Sequence, residues 1–180
     1  MSLEWRATAH LLGVNGKDNQ TKATYFDASF FGQINGAHKV NAAAPSGYDD
    51  LIFMGLHTVY NQPEFLVSAQ YVTSSDTAED SSYVSSQAGS GYSVNGEYRL
   101  GAEKEYRILG RYDSWTQEQL SGTSEKENKS WIAGGAWEQN KNVQWVANVI
   151  VTDNENGTTR SSAGEDANGV AYMLTAEVRF

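Results

Sequence analysis

Read at every second position, the end of the chain separates into two chemically different sets. Val170, Tyr172, Leu174, Ala176, Val178 and Phe180 fall on one face of an extended strand, and Thr175, Glu177 and Arg179 on the other. The same period recurs upstream. Residues 3–13 set Leu3, Trp5, Ala7, Ala9 and Leu11 against Glu4, Arg6, Thr8 and His10. Residues 23–35 set Phe26, Ala28, Phe30, Gly32 and Ile34 against Tyr25, Asp27, Ser29 and Gln33. In residues 51–60 the pattern blurs, because Leu51, Phe53 and Val59 make the second face apolar too, as in a strand buried on both sides of a soluble sheet. Alternation resumes with Phe65, Val67, Ala69 and Tyr71 opposite Ser68, Gln70 and Ser74. The clearest hairpin follows: Tyr92, Val94, Gly96, Tyr98 and Leu100, a turn at 101–105, then Tyr106, Ile108, Gly110 and Tyr112. Trp131, Ala133, Gly135 and Trp137 then precede Val143, Trp145, Ala147, Val149 and Val151 across the turn at Lys141-Asn142. The reading is all-β, a meander of strands with one greasy and one wet face.

The connections carry a second rhythm. After the polar link at 15–19, they alternate from the second strand onward: long at 36–50, 75–91, 116–129 and 153–169, short at 61–64, 101–105 and 141–142. Transmembrane β-barrels show this asymmetry, with short periplasmic turns and long outer loops. Aromatics on the greasy register cluster beside the short turns: Tyr60 and Phe65, Tyr98 and Tyr106, Trp137 and Trp145. Amphipathic rings favour a membrane interface, so these six are expected to form a girdle. Cross-strand aromatic pairing in an ordinary sheet is the plainer alternative, but it does not account for their preference for the short-turn side.

Composition adjusts this picture in few places. Mean hydropathy is only -0.54, yet a barrel exposes alternate residues to lipid and keeps its loops and lumen polar. No run approaches the roughly 18 apolar residues of a spanning helix, so a helical membrane protein is excluded. A net charge of -9 disfavours nucleic acid as a partner. Many of the acids, among them Asp76, Glu79, Asp80, Glu125, Asp153 and Glu165, lie in the polar stretches. They read as solubilising groups, with a cation site shared with lipopolysaccharide as the sharper alternative. Zero Cys rules out a disulfide framework. Met1-Ser2-Leu3-Glu4-Trp5-Arg6 enters alternation without a charged and apolar leader, so a mature or truncated sequence is expected.

The terminal pattern, closing on Phe180 with Tyr172 near its start, resembles the C-terminal strand of bacterial outer-membrane proteins. That resemblance implies that the stretch closes a barrel and is read by the barrel assembly machinery. The hairpin from Gly91 to Trp115, then Trp131-Ile132-Ala133-Gly134-Gly135-Ala136-Trp137 and Asn142-Val143-Gln144-Trp145-Val146-Ala147-Asn148, is similar to the C-terminal half of proteobacterial porins. Within these, the phosphate-selective type looks closest. The resemblance spans roughly residues 90–180 and implies passive uptake of small hydrophilic solutes, often anions, through a homotrimeric barrel in the outer membrane of a Gram-negative bacterium. This chain is about half the length of such a porin.

The strand count reaches nine, whereas single-chain bacterial barrels normally have an even number. Either residues 1–180 are the C-terminal half of a barrel of about 16 or 18 strands, or the first stretch lies outside and eight strands close a single small barrel domain. The good greasy face of residues 3–13 favours the first. Candidate chemistry is sparse. Arg99, Arg107 and Arg111 share the wet face of one hairpin, with Arg6 and Arg179 on strands at the two chain ends. Guanidinium groups in a water-filled lumen would meet carboxylate or phosphate bidentately and set an anion preference. Glu97, Asp113 and Glu177 lie on the same face and would pair with them in a purely structural ladder. His10, His38 and His57 fall on separate elements and no G-x-S-x-G elbow occurs, so no catalytic residue is expected, with His10 the one plausible base. No metal-ligand spacing and no phosphate-cradling glycine loop are present, so neither metal nor cofactor is expected. The expected function is that of a porin-type channel. The alternatives are a small closed outer-membrane barrel with a structural or adhesive role, and a soluble β-sheet protein.

Overall fold

The computed structural model describes residues 2–13, 22–40, 48–76, 88–117, 126–154 and 169–178. The strands are β1 (Ser2–Leu12), β2 (Tyr25–Val40), β3 (Tyr48–Asn61), β4 (Phe65–Asp76), β5 (Gly89–Leu100), β6 (Tyr106–Gln117), β7 (Lys126–Asn140), β8 (Val143–Asn154) and β9 (Gly169–Val178). All nine form one antiparallel sheet in sequence order, and no helix occurs among the described residues. The first stretch is therefore part of the sheet, and the count of nine stands.

Register preserves the two faces from strand to strand. Phe30 stands opposite Leu56, Ala69 opposite Val94, Ala133 opposite Val149, and Ala147 opposite Leu174. A slip of one residue would send every one of these side chains to the other face. β3, whose two apolar faces blurred its pattern, is held on both sides by unbroken pairing from Leu51 to Asn61. Its Phe53 meets Phe31 of β2 on the inner face with ring centroids 5.9 Å apart. In β1 the register shifts between His10 and Leu12, so Leu12 rather than Leu11 stands opposite Phe26.

The strands run further than the alternation suggested. The stretch 36–50 was expected to be loop, but β2 continues to Val40 and β3 begins at Tyr48; likewise β6 reaches Gln117 and β7 starts at Lys126. Ladder hydrogen bonds need only backbone groups, so pairing continues after apolar side chains give way to polar ones. The short connections are tight. Gln62 N donates to Phe65 O at 2.8 Å across Pro63 and Glu64, and Asn142 N is held by Asn140 Oδ1 at 2.9 Å. In the β5–β6 turn Gly101 takes φ +92° and Lys104 φ +61°, left-handed values that suit the glycine and strain the lysine.

Glycines elsewhere make room for rings. Trp5 lies opposite Gly32, Phe31 opposite Gly55, and Trp115 opposite Gly91, each a directly paired cross-strand position. A Cβ at Gly32 would sit 2.3 Å from Trp5 Cζ2, and one at Gly55 would sit 2.5 Å from Phe31 Cζ. An aromatic ring thus covers the bare backbone of its partner, restoring the packing that glycine lacks. Gly96 and Gly110, on the outer face, have nothing within 4 Å of such a Cβ.

The sheet does not close on itself. β1 contacts only β2 and β9 only β8 among the described residues. With nine strands in antiparallel succession, β1 and β9 run in the same direction. Apolar burial is slight: Tyr25, Val72, Ala88 and Ala136 are the buried hydrophobic residues among those described.

Gly91→Val should destabilise the folded sheet by about 1–3 kcal/mol in urea unfolding, because the new side chain meets Ser114 O at 2.4 Å and the Trp115 ring. Gly96→Val, entering open space, should change stability by no more than about 0.5 kcal/mol.

Candidate functional site

The inner face carries Arg6, Arg99, Arg107 and Arg111. Arg99 near the end of β5 is only 4% exposed, and Asn61 at the end of β3 is fully buried. Arg99 Nε binds Glu97, Nη1 donates to Gln62 O at 2.8 Å, and Nη2 donates to Asn61 Oδ1 at 3.0 Å. Asn61 Nδ2 in turn donates to Ala23 O at 2.5 Å, and Arg99 N donates to Glu64 O at 2.7 Å. One guanidinium therefore ties β5, the β3–β4 turn and, through Asn61, the segment entering β2. Its planar fork of donors suits such a role, since a single ammonium could not reach three acceptors in fixed directions.

Arg107 and Arg111 share the inner face of β6, and each is paired with an acid. Arg107 Nη2 lies 3.1 Å from Glu138 Oε2 on β7, and Arg111 Nε is held by both oxygens of Asp113 at 2.9 and 2.8 Å. Arg6 on β1 donates from Nη2 to Ser29 Oγ at 3.2 Å. Arg179 and Phe180 lie outside the described residues. The structure thus places Arg99, Arg107 and Arg111 on neighbouring strands of one face, with Arg6 on the far strand β1. Glu97 and Asp113, the acids that shared that face in the sequence, are their partners, and Glu138 on β7 is a partner that sequence reasoning missed.

His10 Nδ1 lies 2.8 Å from Asp27 Oδ1, with the carboxylate buried and the imidazole half exposed. The neighbouring hydroxyls of Thr8 and Ser29 are engaged with each other at 3.0 Å and with Arg6. His57 lies mid-strand on β3 opposite Gln70. No group of three or more potential metal ligands occurs among the described residues. At the long-loop end the inner face forms a concavity of about 460 Å³, lined by Phe53, Gln70, Ser93, Asp113, Trp115 and Thr152 among others.

The outer face is the converse. Tyr60 and Phe65 have ring centroids 5.8 Å apart, Phe65 stands opposite Tyr98, Tyr106 opposite Trp137, and Trp137 opposite Trp145. The six expected girdle residues therefore form one row along the short-turn end, extended by Phe26, whose ring meets Tyr60 at 6.4 Å. A second row went unnoticed in the sequence. Tyr71 stands opposite Tyr92, Tyr92 meets Tyr112 at 5.8 Å, and Tyr112 meets Trp131 at 5.3 Å. The signal was present as spacing: Phe65 and Tyr71, Tyr92 and Tyr98, Tyr106 and Tyr112, and Trp131 and Trp137 are each six positions apart. Six residues of strand span roughly 20 Å.

Between the rows, the outward side chains of β4 to β8 are Val67, Ala69, Val94, Gly96, Ile108, Gly110, Ala133, Gly135, Ala147 and Val149. None can make a hydrogen bond. Beyond the second row polarity returns at once: Ser114 Oγ donates to Glu127 Oε1 at 3.0 Å, and Glu127 pairs with Lys129 at 2.9 Å. Tyr172 and Leu174 on β9 are 81% and 72% exposed. Each large side chain left in water forgoes about 1.5–3 kcal/mol, and a domain has only about 5–15 kcal/mol of net stability. A face with Leu56, Ile108, Trp137, Tyr172 and Leu174 all exposed must be met by something other than water. No family model, curated protein or solved structure matches the chain.

Arg99→Ala should cost about 3–5 kcal/mol in urea unfolding, because it removes the donor to the oxygen of the buried Asn61 and the cation beside the partly buried Glu97. Arg111→Ala, whose pair with Asp113 is half exposed, should cost less than about 1 kcal/mol in the same titration.

Proposed function

We propose that the chain forms the wall of an outer-membrane porin-type channel, through which small hydrophilic solutes diffuse passively. The carrying observation is the contrast between the faces: an outer band free of hydrogen-bonding side chains from β4 to β8, bounded by two aromatic rows, and an inner face of ion pairs, amides and hydroxyls. Lipid meets the first and water the second. Lipopolysaccharide and the barrel assembly machinery are the partners this setting brings with it, and trimer formation follows from the porin resemblance alone.

Strand direction favours an arc of a larger barrel over a small closed one. Joining β1 to β9 would force two strands of the same direction into a parallel pair, against the antiparallel rule of this class. An odd number of further strands restores antiparallel closure and an even total. The outer edges of β1 and β9, which meet no further strand among the described residues, agree with this, since an open edge needs a partner for its backbone groups in lipid. The arginines remain the groups through which an anion would be met. Each of Arg99, Arg107 and Arg111 enters the lumen with its own carboxylate, so the proposed channel has at most a modest anion preference.

Protein extracted from outer membranes should show heat-modifiable migration on gels and stepwise conductance in planar bilayers. Heat-modifiable protein with no conductance would sink the channel and favour the structural barrel. Leu174→Arg should destabilise the membrane-folded form by about 2–4 kcal/mol, whereas Thr175→Arg, one residue on and facing inward, should be tolerated.

A further inference from the structure

We propose that the concavity at the long-loop end is a binding subsite for the ring of a neutral, hydroxyl-rich solute, a pyranose sugar in chemical class. The proposal rests on the reading of this face as a lumen and specifies what the lumen holds. Its anchor is Trp115, on the inner face of β6 directly opposite Gly91. A Cβ on Gly89 would lie 2.9 Å from Cζ2 of the indole, and one on Gly91 would lie 2.7 Å from Cε3. The six-membered ring thus lies across two glycines spaced by two on β5, held low against the sheet, and it contributes a wall of the cavity. Two consecutive inward positions without side chains keep that berth clear.

Phe53 of β3 supplies a second aromatic wall, Gln70 and Ser93 supply neutral donors and acceptors on the two strands between the rings, and Thr152 adds a hydroxyl on the far side of Trp115. The charges nearby are compensated. Arg111, which lines the cavity, is held by both oxygens of Asp113. A phosphate or sulfate would have to break such a pair to gain a cation, whereas an uncharged polyol can use the outer edges of both partners as they stand. A volume of about 460 Å³ lies within the range of small-molecule pockets, roughly 300–1,000 Å³. A pyranose has the matching anatomy. Its C–H face is apolar and settles on an aromatic ring, and its rim of hydroxyls asks for amides, hydroxyls and ion-pair edges.

The test is calorimetric titration of the protein, purified and folded in detergent, with maltose as the probe and inorganic phosphate as competitor. Saturable maltose binding that phosphate does not displace is expected. Trp115→Ala should weaken it roughly tenfold, by loss of one aromatic contact. Trp115→Phe should restore part of the affinity, and Gln70→Ala should weaken binding without altering either ring. Absence of maltose binding by protein that migrates as folded, unchanged affinity in folded Trp115→Ala, or displacement by phosphate would each overturn the assignment. Binding is read here without any conductance. A non-conducting barrel that binds maltose leaves the subsite standing while the channel reading falls, and a conducting barrel that ignores maltose does the reverse.

Discussion

Successive residues of an extended strand point to opposite sides, and in this chain an antiparallel ladder carries that rule across nine strands without losing phase. Every other property depends on it. Because direct partners share a face, apolar residues meet apolar residues from β1 to β9, and two unlike surfaces grow from one sheet. The register shifts, between His10 and Leu12 and between Glu138 and Asn140 at the short-turn end and between Asn35 and Lys39 at the long-loop end, lie beyond the apolar band, where a change of face has little consequence.

With so little apolar burial inside, cohesion comes from the ladder and from a few dense contacts. The Arg99 and Asn61 network occupies the short-turn end and secures the β3–β4 turn and the segment entering β2. Rings laid over Gly32, Gly55 and Gly91 supply cross-strand packing in mid-sheet. At the long-loop end Tyr92, Tyr112 and Trp131 form a continuous aromatic cluster on the outside, with Trp115 on the inside of the same strands. The inner face is thus neither uniformly wet nor uniformly charged. Phe31, Phe53 and Trp115 give it aromatic walls beside compensated ions.

The legible part of this arrangement was local. Turn residues at 61–64, 101–105 and 141–142 mark three hairpins, and Arg111 with Asp113, like Arg99 with Glu97, is a same-face pair two residues apart that a reader could expect to meet. Arg107 with Glu138 could not be read this way, because the pair depends on the register of β6 against β7. The same holds for Trp5 above Gly32, and for Asn61 reaching Ala23. Strand ends are less legible for a different reason. Side-chain alternation reports where apolar surface stops, while the backbone continues to pair until a turn interrupts it.

Side-chain period is a property of the chain alone, so the sequence by itself determined the division into a greasy and a wet face, the order of the hairpins and the row of rings at the short-turn end. Which residues stand side by side across strands is a property of register, and only the tertiary structure decided it. Register brought Arg107 to Glu138 across two strands, revealed the second aromatic row, and brought two glycines beneath Trp115. It also left β1 and β9 pointing the same way, each with one neighbouring strand among the described residues, since strand direction in a sheet is settled by counting paired neighbours and not by any feature of a single strand.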